Sequence, residues 1–155
     1  TWFECKIRYE KVMENGMQKK VTEPYLVDAL SFTEAEARII EEMTPFISGE
    51  FTVSDIKRAN YSELFPSDEE SADRWFKCKL IFITLDEKSG AEKKTSTQVL
   101  VQAADLRDAV KKLDEGMKGT MADYQIGMVS ETPLMDVYPY SAEPNDKPEF
   151  DPSKA

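Results

Sequence analysis

Cys5 and Cys78 are the most nucleophilic side chains of this sequence, and they stand at matched places. Trp2-Phe3-Glu4-Cys5-Lys6-Ile7 recurs as Trp75-Phe76-Lys77-Cys78-Lys79-Leu80 at an offset of 73 residues. One reading is a paired thiol site across a pseudo-twofold axis. The other is two small core residues, and this is the expected one, because free cysteine is among the most buried residue types and no neighbouring motif would lower either thiol pKa. Trp2 and Trp75 could line an interaction groove, since they point away from the strand side that carries the cysteines; the plainer role is to plug the seam between units or the sheet ends. Lys19-Lys20 and Lys93-Lys94 could form a symmetric pair of basic hairpins that touches phosphate, or could simply keep strand edges from pairing with other chains. These six residues are the candidate interaction positions.

Other chemistries find less to work with. Histidine is absent, which removes the commonest general base near neutral pH and the commonest transition-metal ligand. The sequence contains no Walker-type Gly-Lys-Ser/Thr loop, no Gly-x-Gly-x-x-Gly, no Gly-x-Ser-x-Gly and no Cys-x-x-Cys, each of which would imply a phosphate cradle, a strained nucleophile or a redox pair. Asp68, Glu69, Glu70 and Asp73 lack calcium-loop spacing and read as a solvated linker. Asp123 and Asp136 have apolar and aromatic neighbours, but no motif places a second carboxylate for acid/base work. No catalytic, cofactor-binding or metal-ligating residue is assigned, no cofactor is expected, and a noncatalytic role is favoured over an enzyme.

The balance of charge narrows the partners. The 155 residues carry a formal net charge of −10, which disfavours nucleic acid and anionic lipid as broad electrostatic partners. Residues 1–66 hold 12 acids and 8 bases, residues 67–73 hold 4 acids and no base, residues 74–140 hold 10 of each, and residues 141–155 hold 4 acids and 2 bases. No run approaches the roughly 18 apolar residues of a membrane span, and two cysteines do not make a secreted disulfide framework. A soluble, cytoplasmic protein is expected.

The elements that position these residues follow from the repeat. Asn15-Gly16 faces Ser89-Gly90, a strong and a weaker signal for a tight hairpin turn. Tyr25-Leu26-Val27 then faces Val99-Leu100-Val101. Ser31 with Glu34, and Asp105 with Asp108, mark two helix starts. Phe32, Ala35, Ile39 and Met43 fall on one helical stripe, as do Leu106, Ala109, Leu113 and Met117. Phe51-Thr52-Val53 aligns with Tyr124-Gln125-Ile126, and Leu64-Phe65-Pro66 with Val137-Tyr138-Pro139, so each unit ends in an extended arm. The first arm is too long for one flat strand and predicts a bulge or break near Ala59-Asn60, matched at Thr132-Pro133.

The expected architecture is α+β: a tandem duplication of a ββαβ unit, pseudo-twofold, with one helix per unit packed across its sheet and strand three beside strand one. Residues 1–66 form the first unit, 67–73 an acidic linker, 74–140 the second unit and 141–155 a disordered tail. The units associate either face to face through their sheets or as one continuous sheet. In the second unit both faces of the first strand are apolar, with Phe76, Cys78, Leu80 and Phe82 against Trp75, Ile81, Ile83 and Leu85.

The stretches WFECKIRYEKV, VTEPYLVDALSFTEAEARI and FTVSDIKRANYSELF resemble an uncharacterised family, a domain of unknown function, of small duplicated proteins from Bacteroidetes and from the phages and mobile elements of those bacteria. The resemblance implies a bacterial cytosolic setting and supplies no catalytic residues. Three functions are open: a noncatalytic interaction module with a protein partner, an acidic inhibitor or nucleic-acid mimic, and a small ligand-binding protein or enzyme with a site at the seam between copies. The first is favoured.

Overall fold

The computed structural model describes residues 1–139; the tail expected over residues 141–155 lies outside the described residues. In chain order the elements are β1 (Trp2–Val12), β2 (Gln18–Asp28), α1 (Phe32–Met43), β3 (Phe51–Ala59), β4 (Glu63–Phe65), β5 (Arg74–Leu85), β6 (Glu92–Ala103), α2 (Leu106–Gly116), β7 (Asp123–Glu131) and β8 (Val137–Tyr138). The fold is α+β, with two helices and two four-stranded sheets among the described residues. Two compact units result among the described residues: unit 1 is Thr1–Ala59 together with residues 135–139, and unit 2 is Asn60–Leu134.

Unit 1 is built on β1. Its sheet runs β3-β1-β2-β8, so β1 is hydrogen-bonded on both sides, antiparallel to β2 and to β3. Alternation along β1 sends Phe3, Cys5 and Ile7 to one face, where they are fully buried with Val27 and Ala29 against Ala35, Ile39 and Met43 of α1. Fully burying a large apolar side chain contributes about 1.5–3 kcal/mol, so this row is the main force holding helix to sheet. The helix starts where the sequence places it: Ser31 Oγ accepts the Glu34 N–H at 3.1 Å, and Glu34 Oε1 accepts the Leu30 N–H at 2.8 Å. These bonds satisfy donors that a helix start leaves orphaned.

Unit 2 repeats the plan on β5. Its sheet runs β4-β6-β5-β7, again with the first long strand bonded on both sides. Phe76, Cys78 and Leu80 are buried with Val99, Val101 and Ala103 against Ala109 and Leu113 of α2. Asp105 Oδ1 accepts the Asp108 N–H at 2.8 Å, and Asp108 Oδ2 accepts the Ala104 N–H at 2.9 Å. The Ala104 N–H, with Lys112 beside it, holds the Asp108 carboxyl below the usual range. Lys112 Nζ also reaches Ser67 Oγ at 3.0 Å and Glu69 Oε1 at 3.3 Å, the Ser67 N–H donates to Gln102 Oε1, and Ala72 is buried. The acidic stretch 67–73 is thereby tied to unit 2.

The expected helical stripes are shorter than their spacing suggests. Phe32 is 45% exposed and Leu106 is 52% exposed, because each is the first helical residue and its side chain extends past the sheet. Phe32 still rests edge-on against Phe3, centroids 4.9 Å apart, with the Arg58 guanidinium 5.5 Å over its ring.

The arms break where expected and bulge earlier. Pairing of β1 with β3 shifts register between Lys6 and Ile7, leaving Ser54 extra, and pairing of β5 with β7 shifts between Lys79 and Leu80, leaving Gly127 extra. Beyond Ala59 the chain leaves unit 1, and β4 adds parallel to β6; beyond Leu134 it returns, and β8 adds parallel to β2. Each arm joins its sheet through an equivalent bond: Ser62 N–H donates to the Gln98 carbonyl at 2.8 Å, and Met135 N–H to the Pro24 carbonyl at 2.9 Å.

A tight contact locks β4 down. A methyl group added at Gly116 would stand 2.8 Å from two ring carbons of Phe65. Gly116→Ala should therefore destabilise the protein by about 1 kcal/mol, since overpacking costs about 1–3 kcal/mol and outweighs the roughly 1 kcal/mol that alanine gains over glycine in a helix. Gly49→Ala, which meets nothing within 4 Å, should not be destabilising. Urea midpoints of the two variants decide it.

Candidate interaction surfaces

The paired positions singled out by the repeat fall in different surroundings. Cys5 and Cys78 are free, fully buried thiols, each sealed in the core of its own unit. Burial, with the charges of Glu4 and Asp55 behind it, pushes Cys5 up to about 12, and burial pushes Cys78 up to about 11. A thiol that stays protonated and inaccessible is neither a nucleophile nor a redox partner. Trp75 is buried, and its carbonyl accepts both the N–H and the hydroxyl of Thr132, at 2.8 and 2.9 Å. Trp2 is half-buried. Asp136 immediately precedes β8, and Asp123 is the first residue of β7.

The four lysines are exposed near the outer ends of the hairpins. Lys19 and Lys20 stand across from Lys11 and Glu10, and Lys93 and Lys94 across from Thr84 and Ile83. The β1–β2 hairpin pairs Trp2–Val12 with Gln18–Asp28. Its outer part is solvated on both faces, and the ribbon is braced at its root by Glu23, which accepts the Tyr9 hydroxyl at 2.7 Å and pairs with Lys11 at 3.3 Å. Desolvation first, and the bond to Glu23 second, push the Tyr9 phenol up to about 12. The turn closes on Gly16, whose φ of 82° is costly for other residues.

That ribbon exposes apolar side chains. Val12 is 65% exposed, Met17 66% and Met13 39%. Leu85, in the place matching Val12 on the β5–β6 hairpin, is 68% exposed, but its turn reads Asp86-Glu87-Lys88-Ser89-Gly90 and carries no methionine. Charge pairs and turn signals in the sequence mark these hairpins without revealing the tip, because whether Val12 is core or surface depends on how far the ribbon outruns its helix.

Residues 1–140 match the family described as Domain of unknown function (DUF4494). The chain belongs to this family. No curated protein and no solved structure matches it. In this DUF4494 chain no described helix is long and apolar enough to cross a membrane, and no described group of three or more Cys, Asp or Glu residues is arranged to hold a metal ion.

The buried acids of the DUF4494 chain set its alkaline limit. Cys5, Cys78 and Tyr9 have folded pKa values raised from 9.0, 9.0 and 10.0 to about 12, 11 and 12, so above pH 9 the unfolded chain holds fewer protons than the folded one. Linkage then makes stability fall with rising pH. The urea midpoint should be level from pH 7 to 8.5 and drop progressively between pH 9 and 11, and a thiol reagent at pH 8 should modify neither cysteine until urea is added.

Proposed function

We propose that this chain is a noncatalytic interaction module whose partner is a protein, and that the partner meets the β1–β2 ribbon. The observation that carries this reading is the exposure of Val12, Met13 and Met17 on a ribbon that projects beyond the helix-covered core. Exposed apolar groups scattered singly are ordinary, but three within six residues on one braced hairpin tip form a patch that water disfavours and a partner would cover. Methionine suits such a surface because its unbranched, polarizable chain adapts to the shape it meets.

The same reading takes residues 1–66 and 74–140 as two diverged copies of one ββαβ unit joined by residues 67–73. Its support is the matched inward rows, matched helix caps, matched bulges and matched bonds by which β4 and β8 join their sheets. It also places the protein in the cytoplasm of a bacterium, in the Bacteroidetes and phage-associated setting that the resemblance implies. Divergence then has a functional sense: the copies share a scaffold, and the methionine-bearing tip belongs to the first alone.

Immobilised wild-type chain should retain a stoichiometric protein from a lysate of the native host, and the triple variant V12S/M13Q/M17Q should retain at least about tenfold less of it, within the range that loss of a few central apolar contacts produces. The thermal midpoint should be unchanged, and L85S on the other hairpin should bind as wild type does. Equal retention by the triple variant, or retention of nothing specific together with turnover of a metabolite, would sink the reading.

A further inference from the structure

We propose that unit 1 carries a pocket for one cationic side chain, a lysine or arginine presented by a protein partner. The pocket lies on the helix side of the sheet, where β8 joins β2. Parallel pairing of Val27 with Tyr138 turns the Tyr138 side chain to the same face as Tyr25, and the two rings stack with centroids 6.2 Å apart and planes 19° from parallel. Met43 is the last residue of α1 and Phe46 follows it, and Met135 and Asp136 come from the chain leading into β8; together the six line an open recess of about 220 Å³. That is smaller than the roughly 300–1,000 Å³ of small-molecule and cofactor sites, and it suits the end of a single side chain.

The lining selects for positive charge. Three aromatic residues line it, and the face of an aromatic ring attracts ammonium and guanidinium groups, while two thioethers add polarizable contact without charge. The phenols stay neutral: burial first, and then the charges of Glu23 and Asp136, push Tyr25 up to about 12, and burial first, then Asp136 and Glu42, push Tyr138 higher still. The carboxylate residue in the lining itself is Asp136. Glu23 is already engaged by Tyr9 and Lys11, whereas Asp136 lines the recess together with Tyr138. Asp136 Oδ1 accepts the Val137 N–H at 2.8 Å, which fixes the direction of the carboxylate. Arg38 of α1 donates to the carbonyls of Asp28 and, at 3.1 Å, Pro139, and it is not among the residues that line the recess. An anion would meet repulsion here, a neutral aliphatic chain would leave the carboxylate unanswered, and a net charge of −10 steers basic partners toward the surface.

That the cation arrives on a protein rests on the interaction reading above; the pocket itself is a separate surface from the ribbon, and free probes test it whether or not the ribbon captures a partner. Blocked pentapeptides Gly-Gly-Xaa-Gly-Gly with lysine, arginine or norleucine at the centre, and tetramethylammonium, would be titrated into the full chain while the methyl signals of Met43 and Met135 are followed by NMR. The lysine and arginine peptides should give saturable shifts in the millimolar range and the norleucine peptide none. Asp136→Asn and Phe46→Ala should each weaken the cationic peptides by about fivefold, a size typical of partly desolvated cation–π contacts; Phe46 is 76% exposed, so its removal leaves the fold intact. Tyr138→Phe, which keeps the ring, should bind as wild type. Equal shifts from lysine and norleucine peptides, or wild-type affinity in both weakened variants, would overturn the proposal. Tetramethylammonium binding tighter than either peptide would overturn the protein partner and leave a small-cation site.

Discussion

The parallel pairing of two residues, Val137 and Tyr138, with Leu26 and Val27 is the contact on which the finished form of unit 1 depends. Ordering a returning arm costs about 1–2 kcal/mol of backbone entropy per residue, while each backbone hydrogen bond returns only about 0.5–1.5 kcal/mol net. Two ladder positions and the flanking backbone bonds at Met135 and Asp136 cannot close that balance. Side chains must do it: Val137 is buried on one face, Tyr138 stacks on Tyr25 on the other, and Arg38 holds the Pro139 carbonyl beyond the strand. Pro24, whose missing N–H would be awkward in the middle of a ladder, sits where only its carbonyl is needed, as the acceptor for Met135.

This arrangement separates two kinds of surface. The outer β1–β2 ribbon has solvent on both faces, so its geometry rests on the turn at Gly16 and on the Tyr9, Glu23 and Lys11 brace, and its tip can adapt to what it meets. Around Tyr25 and Tyr138 the walls belong to a strand, a helix end and a pinned arm, and Met43 at their base is buried in the core. A recess of that kind binds by being shaped beforehand, which limits the entropy lost when a ligand enters. An adaptable apolar tip and a preshaped aromatic recess with one carboxylate on one unit would be complementary means of holding the protein partner proposed above.

Much of the scaffold was legible in the sequence for local reasons. Period-two alternation put Phe3, Cys5 and Ile7, and Phe76, Cys78 and Leu80, on inward rows; Ser31 and Asp105 marked the helix starts; Asn15-Gly16 marked a hairpin. The fate of the arms was not legible, because strands of two and three residues have no periodicity and their partners lie more than thirty residues away in sequence. Phe32 and Leu106 obeyed the helical spacing yet lie at first turns, where the stripe has already run off the sheet. The aromatic recess was invisible for the same reason as β8: residues 25, 43, 46, 135, 136 and 138 have no common spacing and become neighbours only when the arm returns.

The matching place in unit 2 is lined by different chemistry. Phe65 stands in β4 where Tyr138 stands in β8, and Val99 stands in β6 where Tyr25 stands in β2. The Phe65 ring lies directly on Gly116 of α2, and Val99 is buried in the core, so a flat ring has sunk into the space that a larger helix residue would hold open. In unit 1 the corresponding turn of α1 carries Glu42 and Met43, side chains too large to admit a ring in that position, and Tyr138 is held outward against Tyr25. A glycine on one helix and a glutamate on the other thus bear on where the fourth-strand ring sits. In unit 2 Phe65 lies on the helix and lines a recess of about 530 Å³ with Ser67, Glu69 and Lys112, whose ammonium group already answers the carboxylates there. In unit 1, by contrast, Tyr138 stacks on Tyr25, and the recess beside it holds the Asp136 carboxylate with no lysine or arginine in its lining.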